Sequence, residues 1–128
     1  MTEPTNQAKC PGARNVLLFA CSGAANVAEA ADQACRQLMY DGHGSMFCLA
    51  GLGAGVEPMV QAARDADLNV VVDGCDVACG KKTFDNLGIR NYIQIKVTDL
   101  DIEKAKGVPA TEEQVAVVIR HIKQQVGK

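Results

Sequence analysis

Four short apolar runs punctuate the chain: Asn15–Cys21 (NVLLFAC), Ser45–Leu49 (SMFCL), Leu68–Asp73 (LNVVVD) and Asn91–Val97 (NYIQIKV). The first three are almost continuously apolar, the pattern of strands covered on both faces. The fourth alternates, with Ile93, Ile95 and Val97 on one side and Tyr92, Gln94 and Lys96 on the other. That predicts a strand with one wet face near a sheet edge. Between and after these runs the apolar period lengthens to that of a helix. From about Ala24 to Met39, Val27, Ala31, Ala34 and Leu38 share one face. Glu57–Ala66 is a shorter helix whose Pro58 suits a first turn. Val77–Leu87 ends before Gly88, a residue suited to the position after a helix. Thr111, with Gln114 three residues on, opens the last helix with a capping-box pattern, and Val115, Val118, Ile119 and Ile122 form its stripe. Thr98–Ala110 has no period and is expected to be a connecting loop.

Strand and helix alternate throughout, which implies a parallel sheet with right-handed crossovers. The expected fold is α/β: a small three-layer domain of Rossmann-like or flavodoxin-like kind, about four parallel strands with helices on both faces. Residues 1–14 are expected to be a polar tail and 15–128 a single domain. Strand order does not follow from the sequence, although an order 2-1-3-4 would place the end of the first strand between its neighbours.

Bulk properties narrow the function. At 128 residues the chain suffices for one core without staples. Its net charge is −2 with Lys and Arg scattered, so it carries no electrostatic footprint for nucleic acid or for an acidic membrane. Three Phe and two Tyr offer little for base stacking. The polar start has no apolar leader segment and no later run reaches the length of a membrane span, so a cytoplasmic location is expected. In that reducing compartment six cysteines point to metal binding or thiol chemistry before disulfides.

Three of those cysteines are regularly placed. Cys21, Cys48 and Cys75 stand 27 residues apart and Cys79 follows the third by four. Each of the three closes an apolar run and precedes a Gly-containing turn, so a parallel sheet puts them all at the carboxyl ends of its strands, where such folds bind ligands. Zinc held by four thiolates needs sulfurs roughly 3.8 Å apart, and strands about 4.8 Å apart allow convergence over that gap. Backbone N–H groups at the helix starts after Ser22-Gly23, Gly51–Gly55 and Gly74-Cys75 favour thiolate charge, and Lys81 and Lys82 are the nearest cations in sequence. The bland alternative is that these cysteines are small hydrophobes at strand ends.

Other candidates are weaker. His43 falls before the second strand, at the opposite end of the sheet, and His121 lies inside the last helix, so neither is placed to act as base for a Cys-His enzyme. Cys35 belongs to the apolar face of the first helix. Cys10, in the tail, is either an exposed thiol or a resolving partner. GLGAGVEP after Cys48 only superficially resembles a dinucleotide fingerprint, and its glycines are expected to let backbone approach the thiols. Asp73 and Asp76 bracket Cys75 as turn or capping residues, or as an acid–base group or further ligand.

Three segments, FACSGAANVAEAA, MFCLAGLGAG and VVVDGCDVACGKKTFDNLGI, together resemble the DGC-domain proteins. These are small bacterial and archaeal proteins described as candidate zinc binders and named for the tripeptide found here as Asp73-Gly74-Cys75. The resemblance spans Val16 to about Leu100 and maps the family's four characteristic cysteines onto Cys21, Cys48, Cys75 and Cys79. Two positions depart from the pattern: Asp76 stands where proline commonly follows the tripeptide, and Ala25 replaces the serine of CSGASN. The resemblance implies zinc binding on an α/β fold.

The sequence therefore predicts a zinc site at Cys21, Cys48, Cys75 and Cys79, with a metal ion as partner, no nucleic acid and no membrane. The first alternative is a thiol-based oxidoreductase or sulfur-transfer enzyme with Cys21 as nucleophile and Cys75 or Cys79 resolving. The second keeps the thiolates and replaces zinc by iron or an iron–sulfur cluster.

Overall fold

The computed structural model describes residues 14–127. Four strands, β1 (Val16–Ala20), β2 (Ser45–Met46), β3 (Leu68–Asp73) and β4 (Tyr92–Lys96), form one wholly parallel sheet in the order β2-β1-β3-β4. Helices α1 (Asn26–Tyr40) and α5 (Glu112–Val126) cover one face, and α2 (Leu49–Gly53), α3 (Glu57–Asp65) and α4 (Cys79–Asn86) cover the other. The three-layer α/β architecture expected from the alternation of strand and helix is present. The central pair β1 and β3 alternates its side chains between two cores, because successive strand residues face opposite ways. Leu18, Val70 and Val72 meet Val27, Ala31, Leu38, Val118 and Ile122 on one side, while Leu17, Phe19 and Val71 meet Leu52, Val60, Ala63 and Phe84 on the other.

The local signals account for most boundaries. Thr111 accepts from the Gln114 backbone at 3.0 Å while the Gln114 side chain accepts from the Thr111 backbone at 3.1 Å, so the capping box is closed. Pro58 lies in the first turn of α3, and Gly88, with φ +70°, ends α4 in the left-handed conformation that glycine tolerates. β4 is an edge strand, as its alternation predicted.

Two segments differ from the sequence reading. β2 is far shorter than Ser45–Leu49. Phe47 still donates to the Leu18 carbonyl at 2.9 Å, but the chain then turns at Cys48 into α2, whose Leu52 is fully buried. Glycine-rich LAGLG hides this helix, since glycine is a poor helix former and packing at Leu52 decides the matter. Thr98–Ala110 is also more than a connector. After a 3₁₀ turn (Val97–Leu100) it buries Ile102, then crosses the start of α1, where Ala25 and Lys106 form an isolated antiparallel bridge. Cys10 and most of the expected 1–14 tail lie outside the described residues. Arg14 is described, and its guanidinium donates to the Val126 carbonyl at 3.0 Å. No helix among the described residues is long and apolar enough to cross a membrane.

Candidate functional site: a rim of four cysteines

Each cysteine of the regular series sits at the carboxyl end of the sheet, and each is held by a different device. Cys21 follows β1 and continues its ladder, its N–H donating to the Val72 carbonyl at 3.1 Å. Its Sγ accepts the N–H of Gly74 at 3.1 Å, which ties the ends of β1 and β3 together. A side chain at Gly74 would be crowded, because a Cβ would stand 3.0 Å from Val27 Cγ2 and 3.1 Å from the Ala28 backbone nitrogen, so α1 would have to give by a few tenths of an ångström. Cys48 occupies the N-cap position of α2 and is exposed. Cys75 follows β3 by two residues and is half-buried, and Cys79 is the exposed first residue of α4.

The start of α4 is unusual and depends on a residue six positions upstream of Cys79. Ala78, at the N-cap, has left-handed dihedrals (φ 55°, ψ 49°) and no capping side chain. The cap comes instead from Asp73 at the end of β3. Its Oδ1 accepts the Gly80 N–H at 2.7 Å and its Oδ2 accepts the Lys81 N–H at 3.1 Å and the Gln94 amide at 2.9 Å. A negative group at a helix start also meets the favourable end of the helix dipole. Asp73 is thus a capping residue for the helix that carries Cys79. Asp76 is exposed and pairs with Lys96 at 2.9 Å, so it is a surface ion pair.

The four thiols ring two adjoining hollows. Cys21, Cys75 and Cys79 line a cavity of about 180 Å³ together with Val27, Ala28 and Val77. Cys21, Cys48 and Cys79 line a wider hollow on the β2 side with Met46 and Phe47. Cys21 and Cys79 are shared by both. Among the described residues, however, no group of three or more His, Cys, Asp or Glu side chains stands close enough to hold a metal ion. The cysteines share a rim without forming a coordination sphere.

Lys104 supplies the cation at this rim. Its Nζ lies 3.3 Å from Cys75 Sγ. Lys81, expected from sequence proximity to fill that role, pairs with Asp85 at 2.8 Å one helical turn away. Lys104 belongs to the segment read as a loop, and the pin that sets its position is Asn26. The buried Asn26 side chain donates to the Glu103 carbonyl at 3.0 Å and accepts the Ala105 N–H at 2.7 Å. No periodicity in TDLDIEKAKG announces Lys104, and the only sequence signal for the pin is a polar residue opening an otherwise Ala-rich helix. The GLGAG glycines play no part in approaching the thiols: a Cβ on Gly51 would strike Met59, Gly53 has open space, and Gly55 serves a turn at φ +72°.

The thiols differ in acidity. The Val77 backbone N–H, joined by the Lys104 ammonium, holds Cys75 below the usual thiol range, against burial, which ranks second, and the nearby Asp76 charge. Burial pushes Cys21 upward, outweighing the Gly74 hydrogen bond. Cys35, wholly within the α1 core, is pushed up to about 12 by burial and takes no part in the rim. Because the thiolate is the nucleophile, Cys75 is expected to react with iodoacetamide at a lower pH than Cys21. Lys104→Gln should move the Cys75 profile upward and leave Cys21 in place, with peptide-level mass spectrometry across a pH series as the measurement. Equal profiles for the two residues would contradict the assignment.

His43, before β2, and His121, within α5, lie away from the rim. A sequence model of the DGC domain matches residues 17–122. Among curated proteins, the anaerobic and virulence modulator AnvM of Pseudomonas aeruginosa is 37% identical over 91 residues, covering 71% of this chain and 70% of that protein. No solved structure matches the chain significantly.

Proposed function

The chain belongs to the DGC-domain family, and from that premise we propose that it is a thiolate metal-binding protein, with zinc as the metal and Cys21, Cys48, Cys75 and Cys79 as ligands. The observation that supports this most directly is the placement of four thiols, from three strand-to-helix turns, around two hollows that share Cys21 and Cys79. The donor set fits: thiolates are zinc's preferred structural ligands and exclude hard cations. Zinc bound by all four cysteines would lock the strand-end turns together and, lacking an open position, would serve structure or signalling before catalysis. This chain's part is to bring the ligands together. The Cys48 turn and the Cys75–Ala78 turn would both have to draw toward Cys21. The Gly74 N–H already supports sulfur charge at Cys21, and Lys104 does so at Cys75. The name of the relative, an anaerobic and virulence modulator, supports a regulatory role.

The test uses reduced, chelator-treated full-length protein. One equivalent of zinc is expected to remove three or four thiols from reaction with a disulfide reagent, and cobalt in its place should give thiolate charge-transfer absorption. Cys→Ser at 21, 48, 75 or 79 should weaken binding by at least about tenfold, the lower range seen even for outer-shell changes. Cys10→Ser should not weaken it. Undiminished thiol reactivity at saturating zinc would sink the reading. An iron site at the same thiolates would announce itself as coloured protein on purification.

One observation favours a second reading, thiol–disulfide or sulfur-transfer chemistry: the ammonium of Lys104 beside Cys75. It makes Cys75 the attacking thiol in place of Cys21, the nucleophile expected from sequence.

A further inference from the structure

Beyond the contact of Lys104 with Cys75, the cavity bounded by Cys21, Cys75 and Cys79 has features that thiolate ligation does not use. Apart from Ser22 and the charged groups, its remaining walls are apolar, with Val27 and Ala28 from α1 and Val77, which is 52% exposed. Two lysines, Lys104 and Lys106, complete the lining. Both ride on the strap that crosses α1, and the strap is fixed on either side of them. Asn26 holds Glu103 and Ala105 through its side chain, the Asn26 N–H donates to the Ala105 carbonyl at 3.1 Å, and the Gly107 N–H donates to the Ala24 carbonyl at 2.9 Å. Among the described residues Lys106 has no acidic partner. Asp73, the one carboxylate lining the cavity, is committed to Gly80, Lys81 and Gln94.

We propose that this cavity binds a small aliphatic carboxylate, its hydrocarbon body against Val27, Ala28 and Val77 and its anionic end at Lys104 and Lys106. The inference goes beyond the thiolate reading and concerns the cavity as it stands before the Cys75–Ala78 turn draws toward Cys21. Size sets the class. At about 180 Å³ the space is well below the roughly 300–1,000 Å³ of pockets for drug-sized compounds, so a short-chain acid fits and a nucleotide does not. Chemistry sets it further. An apolar enclosure penalises a strongly hydrated ion such as inorganic phosphate, while cations at the edge favour an acid over its neutral amide. The strap holds the backbone of both lysines in place without the ligand, so the ordering on binding is confined to their side chains.

Butyrate, butyramide and inorganic phosphate are the probes, added to full-length ¹⁵N-labelled protein and followed by amide shifts, once with zinc and once with chelator. Saturable shifts from butyrate at Ala24–Ala28, Gly74 and Val77 are expected, with butyramide and phosphate each at least about threefold weaker, the scale of exposed charge interactions. Lys106→Glu, at an exposed position that leaves the core untouched, should weaken butyrate by about three- to tenfold and butyramide hardly at all. Val77→Asp should weaken butyrate and leave the fold intact by far-UV circular dichroism. Equal binding of butyrate and butyramide, stronger binding of phosphate, or shifts confined to other surfaces would overturn the proposal. The two readings fail separately. Butyrate binding by protein that never protects its thiols with zinc removes the metal and keeps the cavity. Thiol protection by zinc without carboxylate shifts does the reverse.

Discussion

Asp73→Ala is expected to destabilise the protein by about 3–5 kcal/mol, read as a lower urea midpoint at an unchanged slope. Asp73 is fully buried, and its two oxygens accept the first two N–H groups of α4 after Cys79, those of Gly80 and Lys81, along with the Gln94 amide. Hydrogen bonds to a charged group contribute about 1.5–3 kcal/mol each, and truncation leaves the Gly80 N–H buried with no acceptor. No replacement is at hand, since Ala78 at the N-cap has no capping side chain and sits in the left-handed region that an L-residue enters at a cost. The neighbourhood is also too tight for repair by a bulkier residue: a Cβ on Gly80 would stand 2.5 Å from Val71 Cγ1 and 2.9 Å from Asp73 Oδ1. Asp73→Asn retains one acceptor and should lose roughly half as much. The functional consequence falls on Cys79, whose place at the first residue of α4 depends on that cap. Zinc affinity should therefore fall more in Asp73→Ala than in a variant of equal instability remote from the rim. Unchanged affinity would show that Cys79 is placed by something other than this carboxylate.

The chain reveals its sheet more readily than its site. VLLFA and LNVVVD read as strands covered on both faces because β-branched and large apolar residues crowd them, and both are central. SMFCL, read the same way, is instead a short edge strand with Ser45 exposed. The interval of 27 residues between cysteines is one strand-and-helix repeat, so regular spacing in sequence becomes a row along the rim. Position on the rim follows from topology alone. Proximity of the sulfurs does not, because it depends on loop conformations such as the Cys48 turn into α2, which LAGLG conceals behind two glycines. Charge at the rim was the least legible feature. Lys81 and Lys82 are close to Cys79 in sequence, but a helix carries Lys81 onto Asp85, four residues along, as i,i+4 geometry favours. Lys104 reaches Cys75 from 29 positions away through a strap pinned by Asn26, a long-range arrangement with no periodic signature. Asp73 was visible as a capping candidate, yet the helix it caps begins six residues later, beyond the usual spacing of a capping box.

Phe84→Ala is expected to destabilise by about 3–5 kcal/mol through a cavity in the second core, with Phe84→Leu markedly milder. Phe84 is fully buried, its ring edge-on to Phe19 with centroids 5.1 Å apart and tilted against Tyr92 at 5.3 Å. It anchors α4 one turn beyond Gly80, on the sheet-facing side but past the cap, so it separates the stability of the helix from the placement of Cys79. In Phe84→Ala the cap and the rim remain, and zinc at a hundred times its Kd should restore about 2.7 kcal/mol by mass action on the folded state. In Asp73→Ala the same concentration should restore less, because a weaker site lowers the ratio of zinc to Kd. Paired urea titrations with zinc and with chelator measure both restorations. Equal recovery in the two variants would mean that the metal is indifferent to how α4 begins, and the four-cysteine assignment would then lose Cys79.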